Sequence, residues 1–213
     1  MIYFISAIDT DAGKTVATGF FAKQLMQQGR RVITMKLAQT GCEEGSDDIR
    51  VHRRIMEIDL LPEDKAGYTC PYVFPFPASP HLAAALAGEV IDLNRIDACV
   101  SHLLQRCDDL VIEGVGGLMV PLTPDVLLID WVASHNWPLV LVTSARLGSI
   151  NHTLLSLEAI HRRSIRLDGV IFNLHPLAPS DILNDTRLMI QKSVNQDFPA
   201  AFWMELPELI LPA

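Results

Sequence analysis

The chain has 213 residues, 49% of them apolar and 20% charged. That balance excludes a disordered or fibrous protein and leaves enough chain to bury roughly 70% of its unfolded surface. Lys and Arg number 17 against 25 Asp and Glu, a formal charge of −8, so a general binder of nucleic acid or anionic membrane is not expected. No uncharged apolar run approaches the ~20 residues of a membrane span. Cys42, Cys70, Cys99 and Cys107 contain no CxxC pair, which argues against a zinc knuckle. With no signal peptide apparent, they read as reduced thiols of a cytoplasmic protein.

Short apolar runs recur at Ile2 to Ala7, Arg31 to Met35, Leu110 to Ile112, Pro138 to Val142, Gly169 to Phe172 and, more weakly, Ala201 to Met204. Runs of this kind fit strands buried on both faces of a parallel sheet. Helical patterns lie between them. Thr15 to Gln28 carries Val16, Ala17, Phe20, Phe21, Ala22 and Leu25 before stopping near Gly29, and Asp92 to Arg106, Ile150 to Arg163 and Ser180 to Val194 read likewise. Alternation of strand and helix predicts an α/β fold, a doubly wound and mostly parallel sheet in one domain over residues 1–213. Cys70 to Pro80 holds Pro71, Pro75, Pro77 and Pro80. Prolines at that density predict an irregular loop, and Tyr72, Phe74 and Phe76 predict that it packs on the sheet.

Between the first strand and first helix runs Ser6-Ala7-Ile8-Asp9-Thr10-Asp11-Ala12-Gly13-Lys14-Thr15. Nucleotide phosphates need backbone N–H groups converging at a helix start, a lysine charge for the outer phosphates and a hydroxyl for Mg²⁺. Gly13-Lys14-Thr15 offers all three. The strict GxxxxGK[ST] pattern needs glycine at position 8, where Ile8 stands, so that motif alone does not match and an ordinary helix start remains open. Thr10 and Asp11 lie in the loop, where facing a substrate and capping the helix are equally open.

Lys36 closes the second strand and opens Lys36-Leu37-Ala38-Gln39-Thr40-Gly41. Ligands of doubly wound sheets gather beyond the carboxyl ends of the strands, so a lysine there can stabilise a transferring phosphoryl group; otherwise it is a solvated surface charge. In Ser46-Asp47-Asp48 the serine reads as a helix cap with the acids as dipole partners, and Asp47 as a candidate Mg²⁺ ligand. Glu113 follows Leu110-Val111-Ile112 and precedes Gly114-Val115-Gly116-Gly117. A carboxylate ending a buried strand before glycines is placed to bind Mg²⁺ beside backbone donors. Leu147-Gly148-Ser149-Ile150-Asn151-His152 reads as a helix start suited to a carboxylate or phosphate. The histidines show no mutual ligand spacing and read as surface or satisfied core groups. No GxSxG elbow or HExxH motif is present.

Taken in order, these segments closely resemble the dethiobiotin synthase family. Its pattern runs G-T-D-T-[ED]-x-G-K-T, K-P-x-x-[ST]-G, an S-D acid, P-x-x-S-P-H, E-G-x-G-G and L-G-x-I-N-H. Here the matching residues are Ala7 to Thr15, Lys36 to Gly41, Ser46-Asp47, Pro77-Ala78-Ser79-Pro80-His81, Glu113 to Gly117 and Leu147 to His152, with Asn173 and Glu205-Leu206-Pro207 extending the match. Ala7 and Ile8 stand for the Gly-Thr pair, Leu37 for a proline, and Arg146 where many members have lysine.

The resemblance implies a fold of the phosphate-loop NTPase type and a cytoplasmic homodimer with sites at the subunit interface. It implies ATP as co-substrate, Mg²⁺, and carboxylation of 7,8-diaminononanoate with CO₂ to dethiobiotin through a carbamate and a carbamic–phosphoric mixed anhydride. Carried over, Lys14 and Lys36 are the catalytic lysines, and Thr15, Asp47 and Glu113 the Mg²⁺ ligands. The nucleotide would lie along Asp11, Ala12, Gly13, Lys14, Thr15, Val16, Asp47, Glu113, Gly114, Val115 and Gly116. Asn173, Pro207, Glu208 and Leu209 would border the adenine. Thr10 and Thr40 would meet the diamine, and Gly148, Ser149, Ile150 and Asn151 of the second subunit would hold its carboxylate. The alternatives are a nucleotide-gated partition-type ATPase switch and a degenerate, non-catalytic nucleotide-binding module. Asp9, where some partition ATPases carry a second lysine, argues against the first; retention of Lys14, Thr15, Lys36, Asp47 and Glu113 argues against the second.

Overall fold

A computed structural model describes residues 1–209. The chain runs β1 (Ile2–Ala7), α1 (Lys14–Gln27), β2 (Val32–Lys36), β3 (Gln39–Thr40), α2 (Asp47–Met56), α3 (Pro62–Lys65), β4 (Val73–Phe74) and α4 (Pro80–Leu86). It continues through α5 (Leu93–Leu104), β5 (Asp109–Gly117), α6 (Leu128–His135), β6 (Leu139–Ser144), α7 (Ser149–Arg162), β7 (Leu167–Asn173), α8 (Ser180–Asp197) and β8 (Phe202–Leu206). Six strands form one sheet in the order β2-β5-β1-β6-β7-β8, and every pairing in it is parallel. The doubly wound α/β arrangement read from the sequence is therefore the observed one.

Burial explains why these runs are strands. All residues of β2 and β6 are buried, as are the first seven of β5, so neither face has a polar alternation to satisfy. Phe4 at the centre of β1 is fully buried and packs edge-on against Trp131 and stacked with Trp137. Each such side chain contributes roughly 1.5–3 kcal/mol by leaving water. Helices α1 and α2 pack on each other and on β2, and α7 packs on α8.

Connectivity sets the position of the site. From β1 the chain moves outward to β2, returns to β5 beside β1, then crosses to β6, β7 and β8 on the other side. The strand order thus reverses at the carboxyl end of β1, where open α/β sheets bind ligands, and the phosphate loop leaves the sheet at that point.

Two expectations change in detail. The proline-rich stretch contains a short strand: β4 pairs in parallel with β3, Gln39 with Val73 and Thr40 with Phe74. Tyr72 and Phe74 are buried as expected, but Phe76 is 57% exposed. Among the described residues, no helix is long and apolar enough to cross a membrane, and all four cysteines are free.

Candidate active site

The loop between β1 and α1 turns without glycine at its start. Ala7 stays in β1, and the left-handed positions are Asp11 (φ 57°) and Gly13 (φ 92°). Ala7 and Ile8 therefore replace the family's Gly-Thr pair at positions where positive φ is not required. Gly13 is demanding in another way: an added Cβ would lie 2.3 Å from Asn173 Nδ2. That amide donates to Ala12 O at 3.1 Å, and Asn173 Oδ1 accepts from His175 N–H at 3.0 Å. Asn173 thus pins the phosphate loop to the end of β7. Its neighbour across the sheet is Leu206, which leads into Pro207, Glu208 and Leu209.

Beyond the loop lies a cleft of about 480 Å³. Of the residues singled out from the sequence, Thr10, Asp11, Gly13, Lys14, Thr15, Val16, Lys36, Thr40, Glu113, Val115 and Gly116 all line it. Asp48 lines it as well; Asp47 does not. The carboxylate of Asp47 accepts from Arg50 at 2.7 Å and from the Cys42 thiol at 3.2 Å, and its side chain is 64% exposed. Asp48, 22% exposed, instead lies 2.7 Å from Lys36 Nζ. This placement differs from the one expected of Asp47. Its cause is local: Ser46 caps α2 by accepting from Ile49 N–H while donating to Gln39 Oε1, which also accepts from Asp48 N–H. The cap anchors the helix start to β3 and rotates the second acid, not the first, into the cleft.

Three other residues sit differently from the reading. Ala12 is buried behind the loop, and only its carbonyl is engaged. Gly114 is turned into the core, where a Cβ would crowd Phe4 and Leu128 at 3.1–3.2 Å, while its carbonyl accepts from Lys36 Nζ at 3.0 Å. Ser149 is buried, with its hydroxyl donating to Arg146 O. Gly148, Ser149, Ile150 and Asn151 begin α7 away from this cleft, beside Leu147, which is 96% exposed.

The centre of the cleft is a cation between carboxylates. Lys36 faces Glu113 across the β2–β5 register, and its Nζ donates to Glu113 Oε1 at 2.8 Å. Thr15 Oγ1 donates to the same oxygen at 3.0 Å, and His52 Nε2 lies 2.7 Å from Oε2. Burial opposes ionisation of Glu113, but the Lys36 charge and the His52 contact outweigh it and hold the carboxyl well below the usual range. Burial likewise opposes the charge on Lys36, and Glu113 and Asp48 overcome it, raising its pKa. Lys14 differs. Desolvation, together with the nearby Lys36 charge, lowers its pKa to about 8, and its Nζ donates to Asp9 O at 3.0 Å. A buried cation whose hydrogen bond goes to a carbonyl rather than a carboxylate is poised for an anionic ligand.

Mg²⁺ takes oxygen donors, few carboxylates, and phosphate and water for the remainder. Thr15, Asp48 and Glu113 offer such donors: both carboxylates meet the Lys36 ammonium, and the Thr15 hydroxyl donates to Glu113 Oε1. Among the described residues, no three His, Cys, Asp or Glu side chains form a metal cage.

A second groove of about 450 Å³ adjoins the loop on its other side, lined by Asp9, Thr10, Met119, His152 and Leu155 among others. Here Asp9 is paired with Arg146 Nη2 and lies 3.7 Å from His152. Burial opposes the Asp9 charge, but the Arg146 and Thr10 hydrogen bonds prevail and lower its pKa. The Arg146 pairing was not foreseen from the sequence, although Asp9 lies in the first motif and Arg146 immediately precedes the last.

Strand order, loop and cleft define a phosphate-loop nucleotide-binding protein, and a family described as an AAA domain matches residues 2–197. Solved structures of ParA-type proteins share the fold. One is a ParA family ATPase from Chlorobium tepidum, with TM-score 0.56 at 15% identity, covering 98% of this chain and 85% of that one. Another is pNOB8 ParA bound to nonspecific DNA, with TM-score 0.57 at 14% identity, covering 99% and 86%. Similarity in sequence is narrower. The chain is 44% identical to ATP-dependent dethiobiotin synthetase BioD 2 of Pasteurella multocida, over 98% of each chain. It is 48% identical to the Haemophilus ducreyi BioD 2, over 93% of this chain and 94% of that one. Identity to the Chlorobaculum tepidum synthetase is 50%, over 90% and 80%. The chain belongs to the family of ATP-dependent dethiobiotin synthetases, ligase-type enzymes of biotin biosynthesis.

Proposed function

We propose that the protein carboxylates 7,8-diaminononanoate with CO₂ and closes the ring to dethiobiotin, using ATP and Mg²⁺. The observation that carries this reading is the buried Lys36, placed beside Lys14 in a cleft with Thr15, Asp48 and Glu113. One amine adds to CO₂ and loses a proton, giving a carbamate. A carbamate oxygen attacks the γ-phosphorus and ADP leaves, giving a carbamic–phosphoric mixed anhydride. The second amine attacks the carbonyl carbon, phosphate leaves, a proton is lost, and the cyclic urea is complete. Negative charge gathers on carbamate and phosphoryl oxygens throughout, so fixed cations stabilise the transition states.

In this scheme the backbone from Asp11 to Val16 cradles the phosphates at the start of α1, and Lys14 holds the outer ones. Lys36 orients the carbamate against the γ-phosphate, with Thr10 and Thr40 beside the diamine. Thr15, Asp48 and Glu113 hold Mg²⁺, which neutralises phosphate charge when bound; Asp48 takes the role first expected of Asp47. The adenine lies toward Asn173 and Pro207 to Leu209. The protein works as a cytoplasmic homodimer, with Gly148 to Asn151 of the partner subunit holding the substrate carboxylate. Exposed Leu147, Leu154 and Leu155 support that contact. The partition-type reading shares only the fold.

The test is phosphate release from ATP and Mg²⁺ with bicarbonate, with and without the diamine. Diamine-dependent release is expected; release that ignores the diamine would return the partition-type switch to favour.

A further inference from the structure

Glu113 is held from two sides, and only one of them belongs to the cleft. Oε1 accepts from Lys36 and Thr15, while Oε2 meets His52 Nε2 at 2.7 Å. His52 lies on α2, has no exposed surface and is absent from the cleft lining. An ionised carboxylate only accepts, so Nε2 is the donor. The other ring nitrogen is 3.1 Å from Thr34 Oγ1, whose oxygen accepts from Arg53 Nη1 at 2.7 Å. The Thr34 hydroxyl proton can point at Nδ1, which suits the Nε2–H tautomer that Glu113 requires.

The chain of contacts closes on itself. Arg53 donates to both carboxylate oxygens of Asp64 at 2.8 Å, and Asp64 Oδ1 accepts from Thr69 Oγ1 at 2.7 Å. Thr69 O accepts from the backbone N–H of Lys36 at 2.7 Å. One buried ring therefore fixes the backbone of Lys36 and the carboxylate of Glu113, the two partners facing each other across β2 and β5. Without the histidine, Oε2 would be a buried acceptor lacking a donor, and the carboxylate would turn to recover one.

We propose that His52 is a positioning residue for the reaction: through Nε2–H it locks the Glu113 carboxylate so that Oε1 stays turned toward Lys36, Thr15 and the metal–nucleotide. The inference rests on the functional reading above for the identity of the ligand, not for the geometry.

The test compares wild type, His52→Leu and His52→Gln in the full chain. The glutamine amide offers a donor near the place of Nε2 and the leucine offers none. Three readouts are taken: kcat and KM for the diamine, affinity for a non-hydrolysable ATP analogue with Mg²⁺ and with EDTA, and the thermal midpoint. His52→Leu is expected to lower kcat and the Mg²⁺-dependent part of nucleotide affinity by about ten- to hundredfold, the usual cost of losing a partner behind a metal ligand. Diamine KM and affinity in EDTA should stay within about twofold, and His52→Gln should recover most of the loss. Equal impairment of both variants, tracking their thermal midpoints, would reduce His52 to a packing residue, as would unchanged Mg²⁺ dependence in His52→Leu. Should His52→Leu not fold, His52→Met, which also offers no donor, takes its place against His52→Gln: reduced Mg²⁺-dependent affinity supports the lock and wild-type affinity overturns it. Absence of diamine-dependent phosphate release in wild type would sink the functional reading alone, because the nucleotide-binding comparison still judges His52.

Discussion

The two sides of the phosphate loop are built on different principles. On one side, Lys36, Glu113, His52, Arg53 and Asp64 are buried or nearly so and wholly paired with one another. On the other, Asp9, Arg146 and His152 are between a third and a half exposed, around a groove rimmed by exposed Met119 and Leu155. Charge pairs that have lost water must be satisfied by fixed partners, so the first side is rigid and complete within one chain. The second is held by a solvent-screened ion pair and left open. On the proposed reading the protein fixes the phosphate chemistry in advance and leaves recognition to the rim.

That contrast can be broken most strongly at Lys36. Lys36→Ala is expected to lower turnover about 10²–10³-fold, the cost of losing one fixed charge at a transition state, with nucleotide affinity largely retained. Steady-state kinetics with a nucleotide titration reads both, and near-normal turnover would remove Lys36 from the mechanism. Next comes the support behind it. Asp64→Asn leaves Arg53 buried without its carboxylate and should cost about 3–5 kcal/mol in denaturant unfolding. Burial opposes the Asp64 charge, yet hydrogen bonds from Arg53 and Thr69 lower its pKa in the folded state. The associated stability is present above the ordinary carboxylate pKa and is lost as pH falls through the lowered value. Acid unfolding should accordingly weaken wild type more steeply than Asp64→Asn below about pH 4.

The adjacent acids sharpen the comparison further. Asp48→Asn should raise the Mg²⁺ needed for half-maximal activity by about tenfold or more, whereas Asp47→Asn, which loses a surface pair with Arg50, should shift it less than about twofold. The reverse ranking in a Mg²⁺ titration would restore Asp47 to the site. The smallest effect belongs to the rim. Arg146→Lys keeps the charge but loses the guanidinium geometry, and should change stability by under about 1 kcal/mol in thermal unfolding.

How far the sequence could be read follows the same division. The strands of the main sheet were legible from their apolar runs: those of β2, β5 and β6 are buried on both faces, and the half-buried run of β8 gives a correspondingly weaker signal. β5 was read too short: Glu113 and the glycines continue the strand, since the carboxylate is paired inside the sheet rather than ending it. Helices α4 and α6 escaped notice. α4 begins at Pro80 at the edge of a proline cluster, and α6 follows a loop closed by the Pro121–Leu127 bridge with no side-chain cap. The phosphate loop, Lys36 and Glu113 were legible because their chemistry is local. Asp48 and His52 were not, although four-residue spacing puts both on one face of α2 while Asp47 shares the solvent face with Arg50. Motif matching counts residues along the chain; which acid enters the cleft depends on how the Ser46–Gln39 contact rotates the helix.

The most direct test of the account follows labelled carbon. With ATP, Mg²⁺, the diamine and ¹⁴C-bicarbonate, the protein should place one label in dethiobiotin for each phosphate released, and Lys36→Ala should depress both together. Phosphate released without label in a cyclic product, or at the same rate without the diamine, would contradict it.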